Sequence, residues 1–161
     1  MKNLKSLLVA LPFLITFIAN AQDTYEWDEF GVGFEVASDF EVITNSSEEW
    51  ELMSSDEAIF ISVMPWSDPN VTLDDLEEAT YWVAMDFVFG EDAEVDGDCG
   101  EVDDFDVCYV IGAVYDMDWD YYLVALMMDV GSDTNIQVAI AFNEGDEDEV
   151  VDMMNSFYAY D

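Results

Sequence analysis

Residues 92–115 read DAEVDGDCGEVDDFDVCYVIGAVY, and this stretch decides how the second half of the chain folds. It holds a dense acidic segment, both cysteines of the chain and a long apolar run typical of a β-strand. If Asp103–Asp104 is the two-residue loop of a hairpin, Cys99 faces Cys108 across the two strands. Such a pair, when not hydrogen-bonded, brings its Cα atoms to about 4.5 Å, a spacing that suits a disulfide. The sequence therefore predicts a hairpin closed by a Cys99–Cys108 disulfide.

The cysteine pair has a structural interpretation and a redox-active alternative. A redox pair usually has Cys-x-x-Cys spacing and a basic neighbour that lowers the thiol pKa, and Cys99 and Cys108 have neither. We therefore interpret the pair as a structural cross-link, which contributes on the order of 2.5–3 kcal/mol in the chain-entropy model. Paired cysteines also favour an oxidising compartment.

Residues 1–21 predict a secretory signal peptide. A start that contains both lysines of the chain precedes the apolar run Leu7–Ile18, and Ala19 and Ala21 supply the small residues of a cleavage site before Gln22. A membrane anchor is the alternative, but the apolar run is shorter than the roughly 20 residues that a spanning helix needs. We therefore expect a secreted or periplasmic protein, cleaved near Ala21–Gln22.

The expected mature chain, residues 22–161, carries acidic charge only. It contains all 39 Asp and Glu residues and no Lys, Arg or His, because Lys2 and Lys5 lie in the signal segment. Like charges repel within the Debye length of about 8 Å at physiological salt, so we expect salt or divalent cations to stabilise the fold. Nucleic acid and anionic membrane surfaces are excluded as direct electrostatic partners, since no side chain neutralises a phosphate. The expected partner is a cationic or apolar protein or ligand.

The same chain is apolar enough to fold as a single domain. Hydrophobic residues make up 52% of the sequence and aromatic residues 15%, which separates it from disordered acidic chains. Its patterns predict an α+β domain with a mostly antiparallel sheet of about seven to eight strands and two helices packed on it. The predicted strands span residues 30–36, 40–44, 48–53 and 58–64, then 99–102, 105–115, 121–130 and 135–142. A helix from Thr72 to Gly90 separates the two sets, and a last helix presents Val150, Met153, Met154 and Phe157 to the core.

The order of elements and two short motifs resemble the PsbP-like family, small α/β/α domains of photosystem accessory proteins, bacterial secreted proteins and Ran-binding nuclear relatives. The segment VGFEVASDF at 32–40 is similar to the family's F-x-(apolar)-P-x-x-W pattern, and MMNSF at 153–157 resembles its terminal (apolar)-x-S-F. Ala37–Ser38 stands where a proline is expected, and Phe40 where a Trp is common. The resemblance implies a PsbP-like sandwich over roughly residues 30–160 and no specific partner, because the basic residues by which some relatives engage acidic partners are absent.

Acidic residues alternate around Gly97 in a pattern that partly matches the calcium-binding EF-hand loop. The match is incomplete: position three is Glu, position twelve is the shorter Asp, and the next segment has the pattern of a strand instead of a helix. A solvated acidic loop is the competing interpretation. The weak Ca²⁺ site of this hypothesis would use Asp92, Glu94, Asp96, Asp98 and Asp103.

Three apolar residues of the first predicted helix fall on the side away from its core face. Trp82, Met85 and Phe89 lie together there in a helical projection. Either Tyr25, Trp27 or another element covers them, or they form an exposed interaction patch.

Catalysis has little support in this composition. Without His, Lys or Arg the mature chain has no Ser-His or Cys-His nucleophile, no Schiff base and no side-chain cation for an oxyanion. Carboxylate chemistry is the remaining option, and no pair of acids stands out, so no catalytic or cofactor-binding residue is assigned. We expect a non-enzymatic, strongly acidic binding or accessory module. The alternatives are a carboxylate-based secreted hydrolase and a salt-adapted protein that binds divalent cations weakly.

Overall fold

A computed structural model describes residues 22–90, 93–114, 118–131 and 134–160 of the chain. The predicted signal peptide, Asp92 and Tyr115 therefore lie outside the described residues. Within those ranges no helix has both the length and the apolar character needed to cross a membrane. The elements are β1 (Gln22–Trp27), β2 (Val32–Ala37), β3 (Phe40–Asn45), β4 (Trp50–Ser54), β5 (Ile59–Pro65), α1 (Leu76–Ala84), β6 (Val95–Val102), β7 (Phe105–Ala113), β8 (Tyr121–Asp129), β9 (Thr134–Phe142), α2 (Glu147–Met154) and β10 (Tyr158–Ala159).

These elements form three layers. A seven-stranded antiparallel sheet in the order β3-β4-β5-β9-β8-β7-β6 lies in the middle. Helix α1 packs on one face of it, against β7 and β8. The other face is covered by α2 and by a second sheet, in the order β1-β2-β10. The α+β prediction, with two helices on a mostly antiparallel sheet, is confirmed.

The main core lies between the two sheets. Alternate residues of a strand point to the same face, so the apolar side chains on one face of β5, β8 and β9 meet those of β2 and α2. Phe34 of β2 stacks on Phe157 with ring centroids 4.9 Å apart, and Trp27 stacks on Trp50 at 5.8 Å. Each fully buried side chain of this size contributes about 1.5–3 kcal/mol. The strand residues of this core include Ile59, Ile61, Val63, Leu123, Ala125, Met127, Ile136, Val138, Ile140 and Phe142.

The first helix begins at the predicted position. The carboxylate of Asp75 accepts hydrogen bonds from the backbone N–H of Thr72 (3.2 Å) and from its hydroxyl (2.7 Å). A short 3-10 turn over Leu73–Asp75 leads into α1, and a π-helical turn over Met85–Phe89 ends the helix. Gly90 follows this turn with φ of 75°, a backbone conformation that favours glycine.

The sequence patterns did not predict strands β1 and β10. The segment 22–27, which lies before the first predicted strand, is β1 and pairs along its whole length with β2. The two residues of β10 pair with Gly33 and Val32 of β2. In addition, β6 begins at Val95, four residues before the predicted strand, so much of the predicted acidic loop is extended backbone.

Candidate functional site

The β6–β7 hairpin has the predicted register. Val102 faces Phe105, and Cys99 faces Cys108, to which it is joined by a disulfide with the Cα atoms 4.1 Å apart. The short Cα distance is typical of a pair that is not hydrogen-bonded across the ladder. Asp103 begins the turn with φ of 49°, a left-handed conformation that Asp tolerates better than most residues.

Strand β6 is an edge of the large sheet in the described part of the chain. Because Cys99 belongs to a non-hydrogen-bonded pair, its backbone N–H and that of Gly97 point away from β7. Two side chains of the same strand meet them. The Asp96 carboxylate accepts from Gly97 N–H and the Asp98 carboxylate accepts from Cys99 N–H, both at 2.9 Å. The edge is therefore covered by carboxylates instead of by another strand.

A groove with an apolar floor lies on the side of β6 and β7 that faces α2, and we call it the apolar groove. It encloses about 380 Å³. Val107 and Leu123 form part of its floor and are nearly buried, whereas Val151 on α2 is 55% exposed at its margin. The acidic residues Asp98, Glu101 and Glu147 line it as well. The remaining residues around it are Cys99, Gly100, Val102, Tyr109, Ile111, Phe142, Val150, Met154 and Asn155.

A second groove, which we call the acidic groove, lies on the opposite side of β6, against α1. It has a volume of about 620 Å³. Exposed aromatic rings lie among its acids: Trp82 is 55% exposed, and its indole N–H donates to Glu78 at 3.4 Å. Tyr81 contacts Trp82 edge to face, with centroids 5.7 Å apart. The acidic residues that line this groove are Asp74, Glu77, Glu78, Asp96 and Asp98, and its aromatic residues are Tyr81, Trp82 and Tyr109.

The described acids of the calcium hypothesis are spread along the β6–β7 hairpin. Asp96 and Asp98 lie on strand β6, and a strand rises about 3.3 Å per residue, so Asp103 at the hairpin turn is roughly 23 Å of backbone away from Asp96. A twelve-residue EF-hand loop instead folds back on itself, so that its last ligand meets its first. Among the described residues no three His, Cys, Asp or Glu side chains are grouped to hold a metal ion. Asp92 lies outside the described part of the chain, and the side chain of Glu94 is exposed.

The predicted patch of Trp82, Met85 and Phe89 is wrong as a set, because the helix does not keep one core face. Buried residues of α1 recur every four positions, at Leu76, Thr80 and Ala84, and this drift continues into the π-helical turn. Gly90 N–H donates to the Met85 carbonyl, an i→i+5 bond of 2.8 Å. Met85 is therefore buried and Phe89 packs with Ala84, Val110 and Val124. Trp82 and Phe87 stay exposed.

Neutral donors take the place of cations around many carboxylates of this chain. Tyr158 donates to Glu26 at 3.1 Å, and Tyr160 donates to Asp28 at 3.0 Å. Burial and the bond to Asp28 raise the pKa of Tyr160 to about 12, so it remains a donor throughout the neutral range. Ser62 donates in the same way to Glu49, at 2.8 Å.

The carboxyl group of Glu149 has a raised pKa. Burial, followed by the nearby charges of Asp39, Asp146, Asp56 and Asp152, raises the pKa of Glu149 on α2. Glu149 lines neither groove. A raised carboxyl pKa is one mark of a general acid. Because Glu149 lies outside both grooves, its raised pKa does not by itself indicate a catalytic site.

Solved structures share this arrangement of layers. The Ran-binding protein Mog1p of Saccharomyces cerevisiae superposes with a TM-score of 0.64 at 13% identity, over 89% of this chain and 97% of that one. The fold is that of Mog1p and PsbP. Cyanobacterial PsbP (CyanoP) of Synechocystis sp. PCC 6803 gives a TM-score of 0.60 at 13% identity, over 88% of this chain and 94% of that one. The resemblance to PsbP-like proteins and their Ran-binding relatives is confirmed at the level of the fold.

A third similar structure is a protein of Bacteroides thetaiotaomicron VPI-5482, with a TM-score of 0.55 at 8% identity. It aligns with 86% of this chain but only 48% of its own. No family model matches the sequence, and no curated protein sequence is significantly similar to it.

Proposed function

We propose that this protein is a non-enzymatic, extracytoplasmic binding module whose ligand is a cationic protein segment with apolar side chains. The apolar groove is the observation that carries this proposal. A concave, mostly apolar cleft with a few polar groups is the usual form of a binding site. Here every charged group at that margin is a carboxylate.

The two parts of the groove have different roles in binding. One apolar side chain that fills the floor contributes about 1.5–3 kcal/mol by leaving water. Asp98, Glu101 and Glu147 at the margin attract Lys or Arg on either side of that anchor, which speeds association and excludes anionic competitors. A neutral apolar ligand lacks this second contribution, and a purely cationic one lacks the first.

The fold and the cysteine pair support the remaining parts of the proposal. Mog1p is a Ran-binding protein, so this fold carries a protein-binding function in at least one case. The Cys99–Cys108 disulfide and the signal-like segment 1–21 support a secreted or periplasmic location. The hydrolase alternative requires two carboxylates that flank a substrate bond in one cleft, and neither groove offers an observation that assigns such a pair.

A peptide with alternating valine and lysine tests the function, with its valine–glutamate counterpart as the control ligand. We expect fluorescence anisotropy to detect the lysine peptide, with an affinity that falls as salt rises from about 50 to 500 mM, and to detect no binding of the glutamate peptide.

Matched substitutions locate the site. Val151→Glu places a charge at the margin of the apolar groove, and Val42→Glu makes the same change at a valine of similar exposure (46%) on the remote strand β3. The first variant should lose about tenfold in affinity, which is 1.4 kcal/mol, and the second should stay within about twofold. Equal loss in both variants, or no binding of the lysine peptide by the wild-type protein, would overturn the proposed function.

A further inference from the structure

We infer that the ligand binds as an added β-strand on the outer edge of β6, with its side chains alternating between the apolar groove and the acidic groove. This inference rests on the proposed function, since the apolar groove is one of the two grooves. It adds the backbone conformation of the ligand and the order of residues that the ligand must have.

The edge of β6 is long and regular. Its register with β7 runs without a break from Val95 to Val102, and the disulfide ties its middle to β7. The opposite edge of the sheet differs, because the pairing of β3 with β4 shifts between Val42 and Thr44. A bulge of this kind is a common protection against strand addition, and β6 has none in its register.

The outward backbone groups of β6 are within reach of an incoming strand. Gly97 and Cys99 carry outward N–H groups, each met at 2.9 Å by the carboxylate of the preceding residue. Carbonyl groups of an added strand can accept hydrogen bonds from these N–H groups in place of the carboxylates, as in other complexes in which a peptide adds a strand to a sheet. The displaced carboxylates of Asp96 and Asp98 then remain beside the ligand, free to pair with its Lys or Arg side chains.

The two grooves lie on opposite faces of this edge and share Asp98 and Tyr109. Side chains of a strand alternate between its two faces, with about 6.7 Å between neighbours on the same face. An added strand therefore directs every second side chain toward the apolar floor and the others toward Trp82, Tyr81 and the surrounding acids. Aromatic faces among carboxylates favour Lys or Arg, because both the ring and the acid attract a cation. The fitting sequence alternates apolar and basic residues.

The charge of the edge also determines which strands it accepts. A second copy of this chain would bring Asp96, Asp98 and Glu101 against the same three acids, so self-pairing is opposed by repulsion. The same acids attract a basic strand. One set of side chains thus protects the edge from self-association and selects a cationic partner.

Backbone methylation separates strand addition from simple side-chain docking. In a strand, the N–H groups of alternate residues point to the same side. In an eight-residue Val-Lys alternating peptide, the length of β6, either all valine or all lysine N–H groups therefore face β6. Two versions of the peptide, one N-methylated at two valines and one at two lysines, are compared with the unmethylated peptide on the wild-type protein.

We expect one methylated version to lose at least about tenfold in affinity and the other to stay within about threefold, because only one set faces β6. Amide exchange at Gly97 and Cys99 should slow when the unmethylated peptide binds. Equal affinities of the two methylated versions, or unchanged exchange at both amides, would refute strand addition while leaving the binding function in place. Failure of the unmethylated peptide to bind would refute both.

Discussion

Loss of the Cys99–Cys108 disulfide should destabilise the fold by an amount set by the length of the loop that it closes. The two cysteines are nine residues apart in the sequence. For a loop of this length, the chain-entropy relation gives about 2.6 kcal/mol at 25 °C. In a domain of this size that corresponds to a fall of about 8 °C in Tm.

Two perturbations separate the cross-link from the packing of the sulfur atoms. Reduction of the wild-type protein removes the bond and keeps both side chains, so the entropic contribution alone is lost. The Cys99→Ala, Cys108→Ala variant also removes the buried Cys108 sulfur, which packs with Leu76 and Leu126, and should lose about 1 kcal/mol more. Urea unfolding at fixed salt, followed by tryptophan fluorescence, gives both free energies.

The reasoning fails if reduction changes the free energy of unfolding by less than about 0.5 kcal/mol, since the unfolded chain would then gain no freedom. It also fails if reduction costs more than about 5 kcal/mol, because nine residues of loop entropy do not reach that value. That second outcome would mean that the β6–β7 hairpin separates when the bond is cut.

Three further predictions concern charge and backbone. Because residues 22–161 contain no cation, the urea midpoint should rise steadily with NaCl from about 0.02 to 0.5 M, and a flat response would refute the role of self-repulsion. Burial and nearby acids raise the pKa of Glu149 in the fold, so its ionised form opposes folding at neutral pH, and this penalty is lost as the pH falls below 4.5. Glu149→Gln should therefore stabilise the protein at neutral pH by about 0.5 kcal/mol, a small value because solvent screens the charge, and should have no effect in acid. An equal gain in acid would show that the charge of Glu149 is not the cause. Gly97→Ala should lower the free energy of unfolding in urea by about 1–3 kcal/mol, since the added Cβ lies 2.5 Å from the Tyr109 carbonyl oxygen. Gly100→Ala is the control: open space surrounds it, so it should lower that free energy by less than about 0.5 kcal/mol. Equal losses in the two variants would count against this packing.

Local patterns were sufficient for the parts of the fold in which neighbouring residues determine the structure. The Asp103–Asp104 turn fixed the register of the β6–β7 hairpin, because a two-residue loop leaves no freedom in the pairing. The Thr72 and Asp75 pair marked the start of the first helix, since its hydrogen bonds span three residues. Strands β8 and β9 were recognisable because both of their faces are largely apolar and buried.

The missed features depend on residues that are distant in the sequence. Strand β1 has mostly exposed side chains, and its pairing with β2 gives it its conformation. The two grooves arise where α1 and α2 leave the ends of β6 and β7 partly open, which no local pattern encodes. Val107 and Leu123 have the pattern of ordinary core residues, and only the position of α2 makes them the floor of a groove.

The small sheet has a consequence for the timing of folding. Strand β2 lies between β1 and β10, and Ser156 exchanges two hydrogen bonds with the backbone of Glu35, 121 positions earlier in the sequence. In the large sheet, β9 similarly joins β5 to β8. A nascent chain therefore cannot complete the large sheet before β9 or the small sheet before β10, and contacts of such high sequence separation form slowly. We expect both sheets to stay incomplete until the strands that close them, β9 and β10, have been synthesised.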